Sequence, residues 1–165
     1  MKKIDLERRI GILEDIEAIE KLKARYWYCI ERKLWDDLAD LFTEDVIDYL
    51  GNVALKGKEN VVNHLVERLN LGRNVHQGHS PIIEFTSDTT ATAKWALNDY
   101  NEFDPQALTG FEGWGSYEDE YVKEEGKLEI KSWKRTCLRA EWWNKTPEPL
   151  FLINEIVGIS IYKVR

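Results

Sequence analysis

The hydrophobic period changes once along this chain, and the change limits the folds it can adopt. Apolar residues from Ile10 to Ile30 recur every three or four positions, which predicts a long amphipathic helix from about Asp5 to Glu31. Beyond residue 75, apolar and polar residues alternate instead, as they do in half-buried strands. Helices followed by antiparallel strands predict an α+β fold, with the helices packed on one face of a curved sheet.

Four further segments complete the predicted secondary structure. LWDDLADLF predicts a short second helix, DVIDYLGN a short strand ending in a turn at Gly51–Asn52, and GKENVVNHLVERLNL a third helix. Residues 75–103 predict two strands that turn at Ser87–Asp88, and residues 111–143 predict a hairpin that turns at residues 125–127. No repeat or linker interrupts the 165 residues, so we expect one domain.

The C-terminal segment, residues 144–165, is predicted to be an extension of that domain. Pro147 and Pro149 separate it from the last strand, yet the run LFLINEIVGISIY is too apolar to remain in water. We expect it to dock on the sheet or on a neighbouring subunit.

The composition argues against several classes of protein. The net charge is −7 and no basic stripe is present, which argues against nucleic-acid binding. The start of the chain lacks the apolar core of a secretory signal, and no apolar run approaches the roughly 20 residues that span a bilayer. We expect no nucleic-acid or membrane partner and a cytoplasmic location, in which Cys29 and Cys137 are free thiols.

Two of the three histidines lie together in VHQGHSP, residues 75–81. Histidine changes its charge near neutral pH, so such a pair serves either packing or proton chemistry. On a regular strand His76 and His79 face opposite sides, so only one points inward unless Gly78 marks a bulge. Alternation does not decide which one. His64, on the third helix between polar neighbours, is predicted to lie on the surface.

The strand pattern indicates Asp99 as a candidate functional carboxylate. Alternation puts it at the end of an inward row that contains Ala91, Ala93, Trp95 and Leu97. A carboxylate in that row is costly to bury unless it is paired, whereas an Asp99 beyond the buried stretch would cost nothing. The pattern leaves both interpretations open.

Three other polar residues are candidates from position alone. Tyr26 lies on the apolar side of the first helix, and Glu31 at its end either reaches a pocket or stays in solvent. The direction of Arg139 is undecided because its strand alternates irregularly.

Two histidines and an aspartate could bind a metal, but no ligand spacing is diagnostic, and no glycine-rich phosphate loop is present. We therefore predict no metal or cofactor.

The order of these motifs resembles the SnoaL-like group of the nuclear transport factor 2 superfamily. The resemblance runs from about Asp15 to Arg139 and rests on IEAI, LK, Tyr26, Cys29, the W-D pair at 35–36, H-x-G-H-[ST]-P and TTAT-x-x-W-x-L-x-D. Within the group, the chain is most similar to the bile-acid 7α-dehydratases. The resemblance implies a cone-shaped barrel of a curved, mostly antiparallel sheet with the N-terminal helices on its concave side, and a homotrimer.

The resemblance also implies roles for individual residues. The dehydratase tyrosine, histidine, second aspartate and arginine fall on Tyr26, His76, Asp99 and Arg139, and the aspartate near the end of the first helix falls on Glu31, one methylene longer. A pocket tyrosine falls one residue from Tyr49. The implied catalytic residues are Tyr26, Glu31, His76 and Asp99, and the implied substrate-binding residues are Arg139, Tyr49, His79 and Trp95.

The activity implied is that of a cofactor-independent hydro-lyase. It would eliminate water from a cyclic hydroxy-ketone, with bile-acid or steroid derivatives among the implied substrates. Tyr26 would donate to the carbonyl, His76 would transfer the proton, and Asp99 or Glu31 would hold the imidazole. Two alternatives stay open: a related isomerase or dehydrohalogenase, and a non-catalytic ligand-binding or assembly domain.

Overall fold

The computed structural model describes residues 3–104 and 109–144. The helices are α1 (Lys3–Arg32), α2 (Trp35–Ala39) and α3 (Lys58–Leu69). The strands are β1 (Phe42–Leu50), β2 (Val53–Lys56), β3 (Arg73–Phe85), β4 (Thr90–Asp104), β5 (Thr109–Glu124) and β6 (Lys127–Asn144). Beyond Asn144, the predicted C-terminal extension lies outside the described residues. None of the helices in the described ranges has the length and apolar content that crossing a bilayer requires.

The strands form one curved sheet in the order β2-β1-β6-β5-β4-β3. β1 and β6 run parallel, and every other neighbouring pair is antiparallel. The predicted α+β fold with a mostly antiparallel sheet is confirmed, although the sheet is open, with β2 and β3 at its edges. Glu125 and Gly126 both have positive φ in the predicted turn between β5 and β6, as a two-residue type I′ hairpin turn requires.

Two elements differ from the sequence prediction. The second helix ends at Ala39, because Phe42 already belongs to β1, where it pairs with Ile130 of β6. β2 was not expected: it is a four-residue edge strand whose Val53 is exposed, so its sequence lacks the alternation of a half-buried strand.

The core lies between α1 and the concave face of the sheet, and aromatic rings fill it. Phe42 stacks on Trp133 with ring centroids 5.0 Å apart, and the edge of Tyr26 meets both rings. Trp27 meets Trp95 edge-on at 5.6 Å. These buried rings hold α1 against β1, β4 and β6, so the end of α1 is fixed beside the middle of the sheet.

Two of the register shifts in the sheet decide the direction of predicted site residues. His79 pairs with Ala96 and Ile82 with Lys94, so β3 contains one residue more than β4, at Ser80–Pro81, where Ser80 has a φ of 53°. A second extra residue, Leu138, lies in β6 opposite the junction of Trp114 and Gly115. Each bulge reverses the inward-outward alternation of its strand.

Candidate active site

His76 and Asp99 lie directly opposite each other on β3 and β4. Side chains of such a pair share one face of the sheet, with Cβ atoms about 4.5–5.5 Å apart. Both residues point inward, and only 4% of His76 and 3% of Asp99 is exposed. His76 Nδ1 and Asp99 Oδ1 have no hydrogen-bond partner within the described part of the chain. The site therefore contains a buried imidazole and a buried carboxylate with unused polar atoms.

Burial shifts the two groups in opposite directions. It lowers the pKa of His76 to about 3, and the positive charges of Arg135, Lys33 and Lys23 contribute further. Burial also raises the pKa of Asp99 to about 7, although Arg135 and Lys23 oppose the rise. Both shifts favour neutral forms, as expected for ionisable groups removed from water. Near neutral pH the imidazole is neutral and Asp99 is close to its midpoint.

Glu31, the last acid of α1, contacts the backbone beside this pair. Its Oε1 accepts a hydrogen bond of 3.0 Å from the His76 backbone N–H. The expectation that Asp99 or Glu31 hydrogen-bonds the imidazole is therefore not met. Glu31 instead attaches α1 to β3 at the position of His76, and the neighbouring Lys33 donates to Asn74 on the same strand.

A cleft opens beside Asp99, whose partner on β5 is Gly113, a residue without a side chain. Gly115, opposite Leu97, does not add to this space, because a Cβ there would lie 1.9 Å from the Thr136 carbonyl oxygen of β6. The resulting cleft has a volume of about 170 Å³. Its aromatic lining comes from Tyr49, Phe111 and Trp114, and its charged lining from Asp99 and Arg135.

The arginine of the cleft is Arg135, and the resemblance had indicated Arg139. Arg139 is exposed, pairs with Glu141 and lies over the Trp114 ring. The bulge at Leu138 reverses the alternation between the two arginines, which turns Arg139 away from the concave face. Half-buried Arg135 makes no ion pair with any described residue, and its charge acts on both Asp99 and Asp48.

Tyr26 lies deep in the core, next to a buried ion pair. Only 2% of it is exposed, and burial raises its pKa above the ordinary range, which keeps the hydroxyl protonated. Lys23, one helical turn earlier, lies 4.5 Å above the Tyr26 ring and 3.9 Å above the Tyr117 ring. Lys23 Nζ is 2.8 Å from Asp119 Oδ2, which also accepts a 2.7 Å hydrogen bond from Tyr121.

The remaining predicted residues are divided between the core and the surface. Tyr49 lines the cleft and Trp95 is buried against Trp27. His79 is exposed on the outer face of β3, because it precedes the bulge and has the opposite parity to His76. His64 was predicted on the surface but is half-buried, because α3 packs against β1. Its Nε2 is fully buried and has no hydrogen-bond partner among the described residues.

Sequence reasoning missed four buried or half-buried charged residues of this region: Lys23, Asp48, Asp119 and Arg135. Each one occupies an inward position in a row of apolar side chains. Asp48 follows Val46 by two positions on β1, and Asp119 lies between Tyr117 and Tyr121 on β5. A charged residue at an inward position of an apolar row indicates a buried charge, and among these charged residues the sequence prediction considered only Asp99 in this way.

No group of three or more histidine, cysteine, aspartate or glutamate residues in the described ranges could hold a metal ion. Cys29 and Cys137 are both free, as predicted; Cys29 is buried and Cys137 is exposed.

The SnoaL-like domain family matches residues 11–134, which include most of α1, His76 and Asp99. The chain belongs to the SnoaL-like family. The match ends one residue before Arg135, so the arginine of the cleft lies just beyond it.

Solved structures similar to this SnoaL-like chain share its fold. A protein from Novosphingobium aromaticivorans, proposed to be a scytalone dehydratase, is 21% identical with a TM-score of 0.72, over 87% of this chain and 97% of that one. Hexachlorocyclohexane dehydrochlorinase LinA type 3 from Novosphingobium barchaimii is 18% identical with a TM-score of 0.70, over 87% and 99%. An NTF2-like protein with a cystatin-like fold, also from Novosphingobium aromaticivorans, is 17% identical with a TM-score of 0.69, over 83% and 90%.

Proposed function

We propose that this SnoaL-like protein is a hydro-lyase that removes water from a cyclic hydroxy-ketone without a cofactor. The observation that carries the proposal is the buried pair of His76 and Asp99, of which Asp99 lines the cleft together with Phe111 and Arg135. A neutral imidazole can accept a proton from a carbon next to a carbonyl, and a nearby carboxylate can stabilise the imidazolium that forms.

The proposed reaction begins when His76 takes the proton, leaving an enolate on the substrate. The C–O bond to the β-hydroxyl, or to a vinylogous one, then breaks and the enolate electrons form the new double bond. The imidazolium returns its proton to the departing hydroxide, so water leaves and His76 is neutral again. Because one proton is taken and one returned, the balance needs no oxidant or reductant.

Arg135 is proposed to stabilise the enolate. It is the cationic side chain that lines the cleft, and it has no ion pair among the described residues to satisfy its charge. A preorganised donor at a developing oxyanion is a large contribution to such reactions. The family resemblance gives Tyr26 a donor role as well; its hydroxyl remains protonated, but the residue is buried in the core and does not line the described cleft, so Arg135 is the donor that the cleft itself supplies.

The size of the cleft favours a small ring substrate. Its volume of about 170 Å³ is below the roughly 300 Å³ at which pockets for drug-sized ligands begin. One or two rings would be enclosed, whereas a bile acid or steroid would extend out of the described cleft. Among the aromatic residues of its lining, Phe111 shares the inward parity of Gly113, so its side chain can face a ring.

The experiment is a screen of one-, two- and four-ring hydroxy-ketones, in which ultraviolet absorbance detects the new conjugated double bond. We expect turnover by the wild type, and its loss in His76→Gln. His79→Gln is the matched control, because His79 is exposed on the same strand. Turnover by His76→Gln at the wild-type rate would overturn the mechanism, and binding without turnover would favour a ligand-binding domain. Halogenated rings in the same screen test for a dehydrohalogenase.

We also propose that the chain forms a homo-oligomer, a trimer by the family resemblance. Large apolar side chains of Ile82, Leu138 and Trp142 are more than half exposed, as is common at subunit interfaces. Light scattering at micromolar concentration tests this proposal, and a monomeric mass contradicts it.

A further inference from the structure

Asp48 is a second buried carboxylate on the concave face, at a position that no part of the proposed reaction uses. It lies on β1 with 0% exposure, inward like Val46 two residues before it. Neither of its carboxylate oxygens accepts a hydrogen bond from the described residues. A buried carboxylate with both oxygens unsatisfied is costly, so another group must compensate it or it must hold a proton.

The groups that face Asp48 come from three elements. Arg135 on β6, His64 and Arg68 on α3, and Lys23 on α1 act on its charge, with Arg135 the strongest. None of them forms an ion pair with Asp48 in the described structure, and His64 Nε2 is itself buried without a partner. Asp48 therefore relies on cations held at a distance.

The sheet order places Arg135 between two such carboxylates. β6 lies between β1, which carries Asp48, and β5, beyond which β4 carries Asp99. Asp48 pairs with Trp133, two residues before Arg135, so the two side chains share the concave face. On the other side, Arg135 and Asp99 line the same cleft together with Gly113 of β5.

One guanidinium cannot compensate two buried carboxylates fully. When two acids depend on the same cation, ionisation of the first makes ionisation of the second less favourable, and the protons are lost in coupled steps. Each acid then controls how readily the other gives up its proton.

We propose that Asp48 is a positioning residue that competes with Asp99 for the Arg135 guanidinium and thereby keeps a proton on Asp99 near neutral pH. The role rests on the proposed function only in that Asp99 must lose this proton before it can stabilise the imidazolium, so that Asp48 sets the pH above which elimination proceeds; the competition itself needs no substrate. Asp48 does not touch the reacting atoms and acts through Arg135.

The Arg135 charge acts on both carboxyls, which is the condition for this competition, while burial is the cause of the rise in both pKa values. Burial raises the pKa of Asp48, and it raises that of Asp99 to about 7 even though Arg135 acts to lower both. The other ionisable groups that face Asp99 are His76 on β3, Lys23 and Tyr26 on α1, and Tyr117 on β5.

The test is to titrate Asp99 by NMR of ¹³C-labelled aspartate carboxyls, with its signal assigned by its loss in Asp99→Asn. In Asp48→Asn, Arg135 serves Asp99 alone, so we expect the midpoint of Asp99 to fall by about one pH unit or more, a tenfold loss of proton affinity. Asp45→Asn is the matched control, because Asp45 is exposed on the same strand and pairs with Lys131. It should leave the midpoint unchanged.

Asp48→Ser gives a second variant that removes the charge, should the asparagine not fold by circular dichroism. An Asp99 midpoint that stays in place or rises in the folded variants would overturn the proposal. The titration is done without substrate, so a failure to find any turnover would contradict the proposed function and leave the result for Asp48 standing.

Discussion

The His76 imidazole and the Asp99 carboxylate face each other across β3 and β4, and each retains a buried polar atom without a partner in the described structure. Because burial disfavours the charged form of both, the free protein loses a proton from this pair near pH 7, chiefly from Asp99. Above that pH the carboxylate is charged while the imidazole is neutral. In that state His76 can accept a proton, and Asp99 can stabilise the imidazolium that forms.

The first prediction concerns the pH dependence of elimination. We expect kcat/KM to rise with pH through an apparent pKa of about 7, because Asp99 must ionise to stabilise the imidazolium. Asp99→Asn should lower the rate by about 10²-fold and remove the rise. Initial rates of the wild type and the variant between pH 5 and 9 provide the measurement. A rise that persists in Asp99→Asn would assign it to another group.

The second prediction concerns folding stability. Ionised Asp99 is expected to lower it, although the same ionised form supports elimination. The pKa of Asp99 is raised in the folded state from 3.8 to about 7, so the folded chain binds the proton more tightly than the unfolded chain. Stability is therefore lost as pH rises from about 4 to 7. Asp99→Asn should raise the free energy of unfolding, and the gain should be about 2–3 kcal/mol larger at pH 8 than at pH 5.

Urea denaturation of both proteins at the two pH values tests that difference. The lowered pKa of His76 makes the fold less stable at low pH, but it affects wild type and variant alike and cancels in the comparison. Equal gains at pH 5 and pH 8 would mean that Asp99 is not held neutral by burial.

The sequence was sufficient for the three helices and five of the six strands, because these follow from regular periodicity, and the alternation placed Asp99 at the end of an inward row without deciding whether it is buried. The row from Ala91 to Leu97 is buried as the alternation requires, and Asp99 continues it. Periodicity could not choose between His76 and His79, nor orient Arg139, because a bulge is one extra residue with no distinctive period. The bulges at Ser80–Pro81 and Leu138 determine which of these side chains point inward, and they are visible only in the structure.

The third prediction separates the two possible roles of Glu31. Its carboxylate accepts the hydrogen bond from the His76 backbone, which an amide oxygen could also do. Glu31→Gln should therefore keep most of the activity, whereas Glu31→Ala should lose about tenfold in kcat, as expected for a lost hydrogen bond of about 1–2 kcal/mol. Steady-state kinetics of both variants decide. If glutamine is as damaging as alanine, the charge of Glu31 takes part in the chemistry.

The fourth prediction compares two arginines of the same strand. Arg135 lines the cleft, so Arg135→Ala should reduce kcat/KM by about 10²-fold, the usual effect of losing one donor to a developing oxyanion. Arg139→Ala should leave kcat/KM within about twofold, because exposed charged pairs contribute little. The same ultraviolet assay measures both. A larger effect at Arg139 would restore the assignment made from family resemblance.

The fifth prediction concerns the buried pair of Lys23 and Asp119. The two side chains are 1% and 0% exposed, so removing one charge leaves the other without compensation. Lys23→Met should cost about 3–5 kcal/mol of folding free energy, although methionine can occupy the space between the tyrosine rings. The double variant Lys23→Met/Asp119→Asn should recover most of that loss, because neither charge is then buried alone. Urea denaturation of the single and double variants measures both quantities. A single variant within 1 kcal/mol of wild type would show that the Asp119 carboxylate loses its charge at little cost once Lys23 is gone, with the Tyr121 hydrogen bond sufficient to hold it.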